Sequence, residues 1–521
     1  MARAVGIPIP LKGMNTVDPF TQDLGYARQL TDFALYQGRL SCRPGLESEI
    51  LTAGTALNWY DYSAAPGYGI LKVAPGNIVN LTTAAVLGNI GGACQANATT
   101  CKHVSIELLF GCQAPRSPAG AGFTAWTFTT AAITATAITC GCSWKGRLYV
   151  TDGTSIEYSN LGAIGASALN GGVPISYNMA GQSVIRMLTL TGSSQANILT
   201  DSLFAIFGSG GRVLIYSGND PTDWVQIGQW DMPAPISSLG FVELDGDIFI
   251  STTKYAYWAR DLLMGGAIYA YDNSPSKPIE NLWGGLGWNS SYLSNLVSHS
   301  YYLSQVEEVP LDAVVIQCSD QDTPAGDLSK IRQAATCCLV YFRKYKAWSL
   351  WFMDLPLLGA AYAPVIKYND VYYTHNGFGG IHKYTYDLTP TNGVSPTWLT
   401  PYFSPFAGRN QRLLGVRPFY QSDDGVITAG GIADFSDFLS PYGFLPTPES
   451  NLSPVEPGVW SKATVTIPAN SYEQYHPYIG VGVDGAGVSA FCRFTSILAS
   501  SGLDKQIYQM IAYFEDGGDL Y

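Results

Sequence analysis

Stretch after stretch of this chain reads as two alternating strands joined by a tight turn. Trp144–Ser159 turns at Asp152-Gly153, Leu203–Tyr216 at Gly208–Gly211, and Phe241–Ser251 at Asp245-Gly246. Val365–Tyr386 turns at Asn369-Asp370 and again at Asn376–Gly380, and Cys338–Met353 turns at Lys344–Lys346. Gly, Asn and Asp accept the positive φ that matches a hairpin turn to strand twist, so these are β-hairpins. Their recurrence predicts an all-β chain: a β-propeller-like core of degenerate blades, with an additional β-rich, loop-rich region and very little helix. Short amphipathic helices are expected over Asp23–Leu35 and Asp504–Phe514, where apolar residues recur at helical spacing. Ser404–Ser453, rich in Pro, Gly, Ser and Asp, reads as long loops.

Charge is the second constraint. Asp, Glu, Lys and Arg make up 13% of the 521 residues, about half the usual ~25%. The 28 basic and 40 acidic side chains leave a net charge of −12, which argues against tight binding to DNA phosphates. The windows Val73–Cys101 and Ser117–Trp144 carry no charge at all. Each is long enough to span a bilayer. The first, however, is broken by Pro75, Gly76, Asn77, Gly88, Gly91 and Gly92, which lipid tolerates badly. Thr124–Thr139 is Thr- and Ala-rich and reads as strand. No membrane span is expected; surface covered by other subunits explains the missing charge. The divisions that follow are 1–60, an N-terminal arm with first strands; 61–142, a charge-poor β region for subunit contact; 143–400, the blades; and 401–521, a C-terminal β region with long loops that could close the propeller.

No catalytic, cofactor or metal residue is expected, and the chain is read as not an enzyme. The opening residues lack an apolar signal core. Cys140-Gly-Cys142 and Cys337-Cys338 have poor zinc spacing, and Cys94 with Cys101 could close a disulfide only outside a reducing compartment. His375 and His382 flank a turn and are a possible two-ligand metal site, with exposed hairpin residues as the plainer reading. Phe207–Gly211 lacks the Lys-Ser/Thr and helix of a phosphate cradle. The acidic pairs Asp423-Asp424, Asp245 with Asp247, and Asp220 with Asp223 could serve glycan hydrolysis, but each sits where Asp caps its own turn.

Two resemblances follow from particular residues. Ser217-Gly-Asn-Asp-Pro-Thr-Asp-Trp224 resembles the structural turn of sialidase-type propellers, whose Trp packs between blade strands; Asn219, Pro221 and Asp223 depart from that pattern. The segment Ile7–Pro19, then Tyr26–Leu30, then Gly38–Gly45 resembles the opening of tail nozzle (tail hub) proteins of short-tailed bacteriophages. Gly13, Asn15, Asp18, Pro19, Gly38, Arg43, Pro44 and Gly45 carry the match, and Leu413–Phe435 is similar to the C-terminal part of such proteins. The resemblance implies a structural virion protein made in the host bacterial cytoplasm. It implies a homohexameric ring below the tail adaptor protein, with tail fibre, spike or needle proteins attached. Double-stranded DNA would be retained by that channel and pass through it during ejection without sequence-specific binding. An acidic wall would repel the duplex. Arg43 is expected to hold a carboxylate or carbonyl at its corner rather than DNA. The competing reading is a receptor-binding or glycan-hydrolysing tail spike.

Overall fold

The computed structural model describes residues 2–15, 17, 23–51, 58–61, 70–74, 77–80, 86–89, 99–104, 106–110, 116–119, 122–125, 133–134, 137–163, 169–173, 177–191, 202–285, 299–304, 306, 310–319, 335–356, 366–368, 371–375, 380–385, 396–402, 404–406, 408–421, 425–433, 460–467, 477–495 and 506–519. Most of these residues are in antiparallel strands, and the predicted hairpins form where their turn chemistry placed them. Arg147–Thr151 pairs with Ile156–Ser159, Ser202–Gly208 with Arg212–Ser217, and Phe241–Leu244 with Asp247–Ser251. Ala335–Phe342 pairs with Ala347–Pro356, and Ile366–Tyr368, Val371–His375 and Gly380–Thr385 follow as a meander.

These hairpins belong to a series of small sheets, the blades of a propeller. The first blade is Asn58–Asp61, Ile70–Ala74, Asn77–Asn80 and Val86–Asn89; the second is Thr99–His103, Ile106–Phe110, Arg116–Ala119 and Gly122–Ala125. The third is Cys140–Trp144, Arg147–Thr151, Ile156–Ser159 and Leu169–Gly172; the fourth is Val184–Thr191, Ser202–Gly208, Arg212–Ser217 and Val225–Asp231. The fifth has only Phe241–Leu244, Asp247–Ser251 and Ala256–Trp258, and helix α1 (Ala259–Asp272) follows its last strand directly. The sixth is His299–Leu303, Ala313–Ser319, Ala335–Phe342 and Ala347–Pro356. The seventh takes three strands from 366–385 and its outermost, Gly45–Leu51, from the N-terminal part of the chain.

The first strand of each blade is its inner strand. Thr99–His103 packs against Cys140–Trp144, which packs against Val184–Thr191, and Phe241–Leu244 packs against His299–Leu303. Ile366–Tyr368 of the seventh blade meets Asn58–Asp61 of the first, so the series closes on itself. Residues 58–125, almost all of them in the region expected to be charge-poor, supply two blades of the same series. Of the stretch Thr124–Thr139 expected as strand, the described residues put Thr124 and Ala125 in the strand Gly122–Ala125, whereas Ile133 and Ile138 lie outside strands, buried against Leu108, Phe110 and Leu148; 126–132 and 135–136 lie outside the described residues.

Beside the ring lies a sandwich. One sheet holds Phe33–Tyr36, Arg39–Cys42, Gln506–Asp519, Arg409–Gln421 and Ile479–Gly485, with Arg3–Ile7 paired to Gln506–Asp519. The other holds Gln29–Thr31, Thr397–Leu399, Val488–Thr495, Gly425–Ala433 and Trp460–Ile467. Leu413, Val416, Ile479, Val483 and Phe514 of the first share a core with Ile427, Ala429, Val488, Ala490 and Cys492 of the second. Gln29–Thr31 also pairs in parallel with Ala347–Pro356, so the sixth blade and the second sheet are continuous.

Helices do not form at either expected place. Asp23–Leu35 gives the strands Gln29–Thr31 and Phe33–Tyr36 instead, and every residue from Ala27 to Leu35 is buried. A run buried on all sides has no solvent face for an amphipathic helix. Asp504–Phe514 falls in the long strand Gln506–Asp519. There a register shift beside Tyr420 turns both Ile507 and Met510 inward, which imitates helical spacing. Ser404–Ser453, expected as loops, contains all of Arg409–Gln421 and Gly425–Ala433 as strands; 434–459 lies outside the described residues.

Candidate functional site

The N-terminal segment is the part most tightly built into the rest. Gly13 adopts φ 73°, and a Cβ there would lie 2.4 Å from the Trp348 backbone nitrogen, so only glycine fits. Met14 N–H then donates to Trp348 O at 2.9 Å. Trp351 Nε1 donates to Phe33 O at 2.8 Å, and the Ser349 hydroxyl reaches both Leu30 O and Phe33 O. At the Arg-Pro-Gly corner, Arg43 Nε donates to Asp32 Oδ1 at 2.7 Å and Nη1 to Pro44 O at 2.9 Å, with both side chains buried. Arg43 therefore holds a carboxylate and a carbonyl, as its position predicted. Arg28, also buried, lies over the Tyr402 ring at 4.3 Å. These contacts form a clasp joining the sixth blade, the seventh blade and the sandwich. Asp18 and Pro19 lie outside the described residues.

A cluster of titratable side chains lies at the seam of the fifth and sixth blades. The N-cap residue of α1, Trp258, has no side chain to satisfy the free N–H groups of the first turn. Asp247 does so from the neighbouring strand, accepting from Arg260 N–H at 3.0 Å and from Ile248 N–H at 2.8 Å. Burial raises the Asp247 carboxyl above the usual range. Asp261, one residue further along α1, is pushed up to about 6 by burial and then by the Asp247 charge. Across the seam, Arg343 bridges Asp245 at 2.5 Å and Asp312 at 3.0 Å, and Tyr302 Oη donates to Asp312 at 2.9 Å. The Asp245–Asp247 pair of the sequence thus divides its work: one carboxylate ties two blades together, the other caps a helix. The arrangement can take up a proton near pH 6, but its anchored carboxylates are occupied by backbone and arginine partners.

The other sequence candidates are placed as follows. Asp220 accepts from Thr222 N–H and from Arg147, and Asp223 accepts from Asn219 and Asp220 N–H, so both cap their turn. Trp224 packs against Trp144 and Tyr149 of the third blade and Phe204 and Tyr216 of the fourth, at ring distances of 5.1 to 5.6 Å. It is the inter-blade wedge that the turn resemblance implied. Gly208–Gly211 is a hairpin turn whose Gly210 N–H is held by Gln182. The ladder sets His382 opposite Thr374 and His375 opposite Ile381, so the two histidines are not register partners and fall at alternate positions. His103, by contrast, bridges the second and third blades through Ser143 Oγ at 2.8 Å, a role no local pattern announced. Among the described residues no group of His, Cys, Asp or Glu is arranged to hold a metal ion, and no helix is long and apolar enough to cross a membrane. Cys94 and Asp423-Asp424 lie outside the described residues.

No protein-family model matches the chain, and no curated protein does. Among solved structures it is similar to an exo-beta-1,3-galactanase from Phanerochaete chrysosporium, at 10% identity over 89% of this chain and 100% of that one, with a TM-score of 0.31. PorZ, a surface component of the type-IX secretion system of Porphyromonas gingivalis, is similar at 12% identity over 64% of this chain and 37% of that one, TM-score 0.33. A chain of the mitotic checkpoint complex is similar at 8% identity over 66% and 92%, TM-score 0.33. Overlap this loose carries nothing about chemistry, and the propeller rests on the strand pairing itself.

Proposed function

We propose that the chain is a structural virion protein, the distal tail nozzle of a short-tailed bacteriophage. Copies form a homohexameric ring below the tail adaptor. The ring retains packaged DNA, lets it exit during ejection, and anchors fibres, spikes or a needle. The observation that carries this reading is the clasp. Gly13 and Arg43, two of the residues that bear the resemblance to nozzle proteins, stand at positions where close backbone approach or a buried ion pair demands those residue types. That these two residues have structural work beyond turn chemistry supports the reading. A net charge of −12 per copy suits a lumen that repels phosphates.

An exposed apolar face supports assembly. Val225 and Ile227 on the fourth blade's outermost strand, with Met264 and Ile268 on the adjacent α1, are open to solvent, Ile268 by 78%. Such faces are normally covered by a partner. Sedimentation of the purified chain, with an assay of polysaccharide turnover beside it, tests the reading. The expected outcome is a particle of about six copies without turnover. A trimer or monomer that cleaves polysaccharide would favour the tail-spike reading instead.

A further inference from the structure

The inner strand of the fourth blade carries a cation for which no ion pair is formed among the described residues. Arg186 lies on Val184–Thr191, and its Nε and Nη1 are buried with no hydrogen-bond partner among the described residues. Its nearest polar company comes from the two neighbouring inner strands. Cys140 and Cys142 of the third blade are buried thiols whose ionisation burial pushes up, so they stay neutral and supply no negative charge. Glu243 of the fifth blade is the nearby carboxylate, and its Oε1 already accepts the Thr189 N–H at 3.3 Å and the Thr189 hydroxyl at 3.5 Å. From the second blade, burial lowers the His103 imidazole below its ordinary value, against its bond to Ala163 O, and Lys102 adds an exposed positive charge.

The backbone is arranged to present this residue. The ladder between Val184–Thr191 and Ser202–Gly208 shifts register between Val184 and Arg186. Ile185 packs with Leu188 and Leu190 toward the fifth blade, whereas Met187 packs toward the third with Cys140 and Cys142. A bulge of this kind re-aims the side chain that follows it. Arg186 is half-buried, and guanidinium nitrogens that are shielded from solvent without a partner are unfavourable; its planar fork matches a two-oxygen anion.

We propose that Arg186 is the centre of an oxyanion-binding site inside the propeller, taking a phosphate or carboxylate group between the third, fourth and fifth blades. The proposal is independent of the nozzle reading, since it concerns one copy's own channel rather than the lumen of an assembled ring.

Calorimetric titration of the full chain in chloride buffer, with inorganic phosphate in one arm and succinate in the other, tests it. Saturable 1:1 binding is expected in at least one arm, and the stronger arm identifies the anion class. Arg186→Gln should weaken that binding at least tenfold. Arg186→Lys, which keeps the charge and loses the fork, should fall between. Arg186→Met should melt no lower than the parent chain without added anion, and the anion should raise the melting point of the parent only. Absence of saturable binding in both arms, equal binding by Arg186→Gln, or a clearly lower melting point for Arg186→Met in chloride buffer would each overturn the proposal.

Discussion

Asp32 adopts φ 57° between two buried strands, a conformation that costs an L-residue about 1 kcal/mol or more. The strain is held because its N–H donates to Leu350 O, its carbonyl accepts from Arg43 N–H, and its carboxylate takes the Arg43 guanidinium. Removing one partner leaves the other charged and buried without its ion pair. Arg43→Met should therefore lower unfolding stability by about 3–5 kcal/mol in denaturant titration, and Arg43→Met combined with Asp32→Leu should recover part of the loss. Asp261 gives the pH dependence. Its carboxyl is raised from 3.8 to about 6, so the folded state holds that proton more tightly than the unfolded chain does. The stability this contributes is complete below about pH 4 and is lost as pH rises through about 6. Asp261→Asn should flatten the melting-temperature profile over that range and raise the melting point at pH 7. Arg43 was legible in the sequence because Pro44 and Gly45 mark a corner. Arg186 was not, because a single arginine in a strand looks alike whether or not its buried nitrogens find partners.

The inter-blade wedge is the clearest case of an element read correctly. Ser217–Trp224 carries a turn whose Asp220 and Asp223 cap its own backbone, and the cap directs Trp224 into the seam. Trp224→Ala would open a cavity between two aromatic faces and should cost about 3–5 kcal/mol, visible as a lower denaturant midpoint. Turn chemistry was readable because it is local. The long strand Gln506–Asp519 was misread because a bulge breaks the period of two on which strand recognition depends. Helix α1 went unseen for a related reason: Gly265 and Gly266 interrupt it, and Gly266 at φ 74° kinks it. In sequence that pair resembles another hairpin turn.

At the scale of the molecule, closure joins residues that are far apart in the chain. Gly45–Leu51 completes the blade ending at Gly380–Thr385, and Arg3–Ile7 pairs with the last strand, Gln506–Asp519. Strand repetition announced the blades, whereas these pairings join segments with no local signal, and neither the ring's closure nor the sandwich was legible. The clasp explains why an N-terminal motif matters to the whole: it lies where propeller and sandwich meet. The charge-poor windows and the apolar face of α1 gain a purpose if copies cover one another, and that is the central claim. Electron microscopy of the purified, assembled protein viewed down its axis tests it most directly. A closed particle with six-fold symmetry around an open lumen is the predicted result; a field of single propellers or three-fold particles would contradict it.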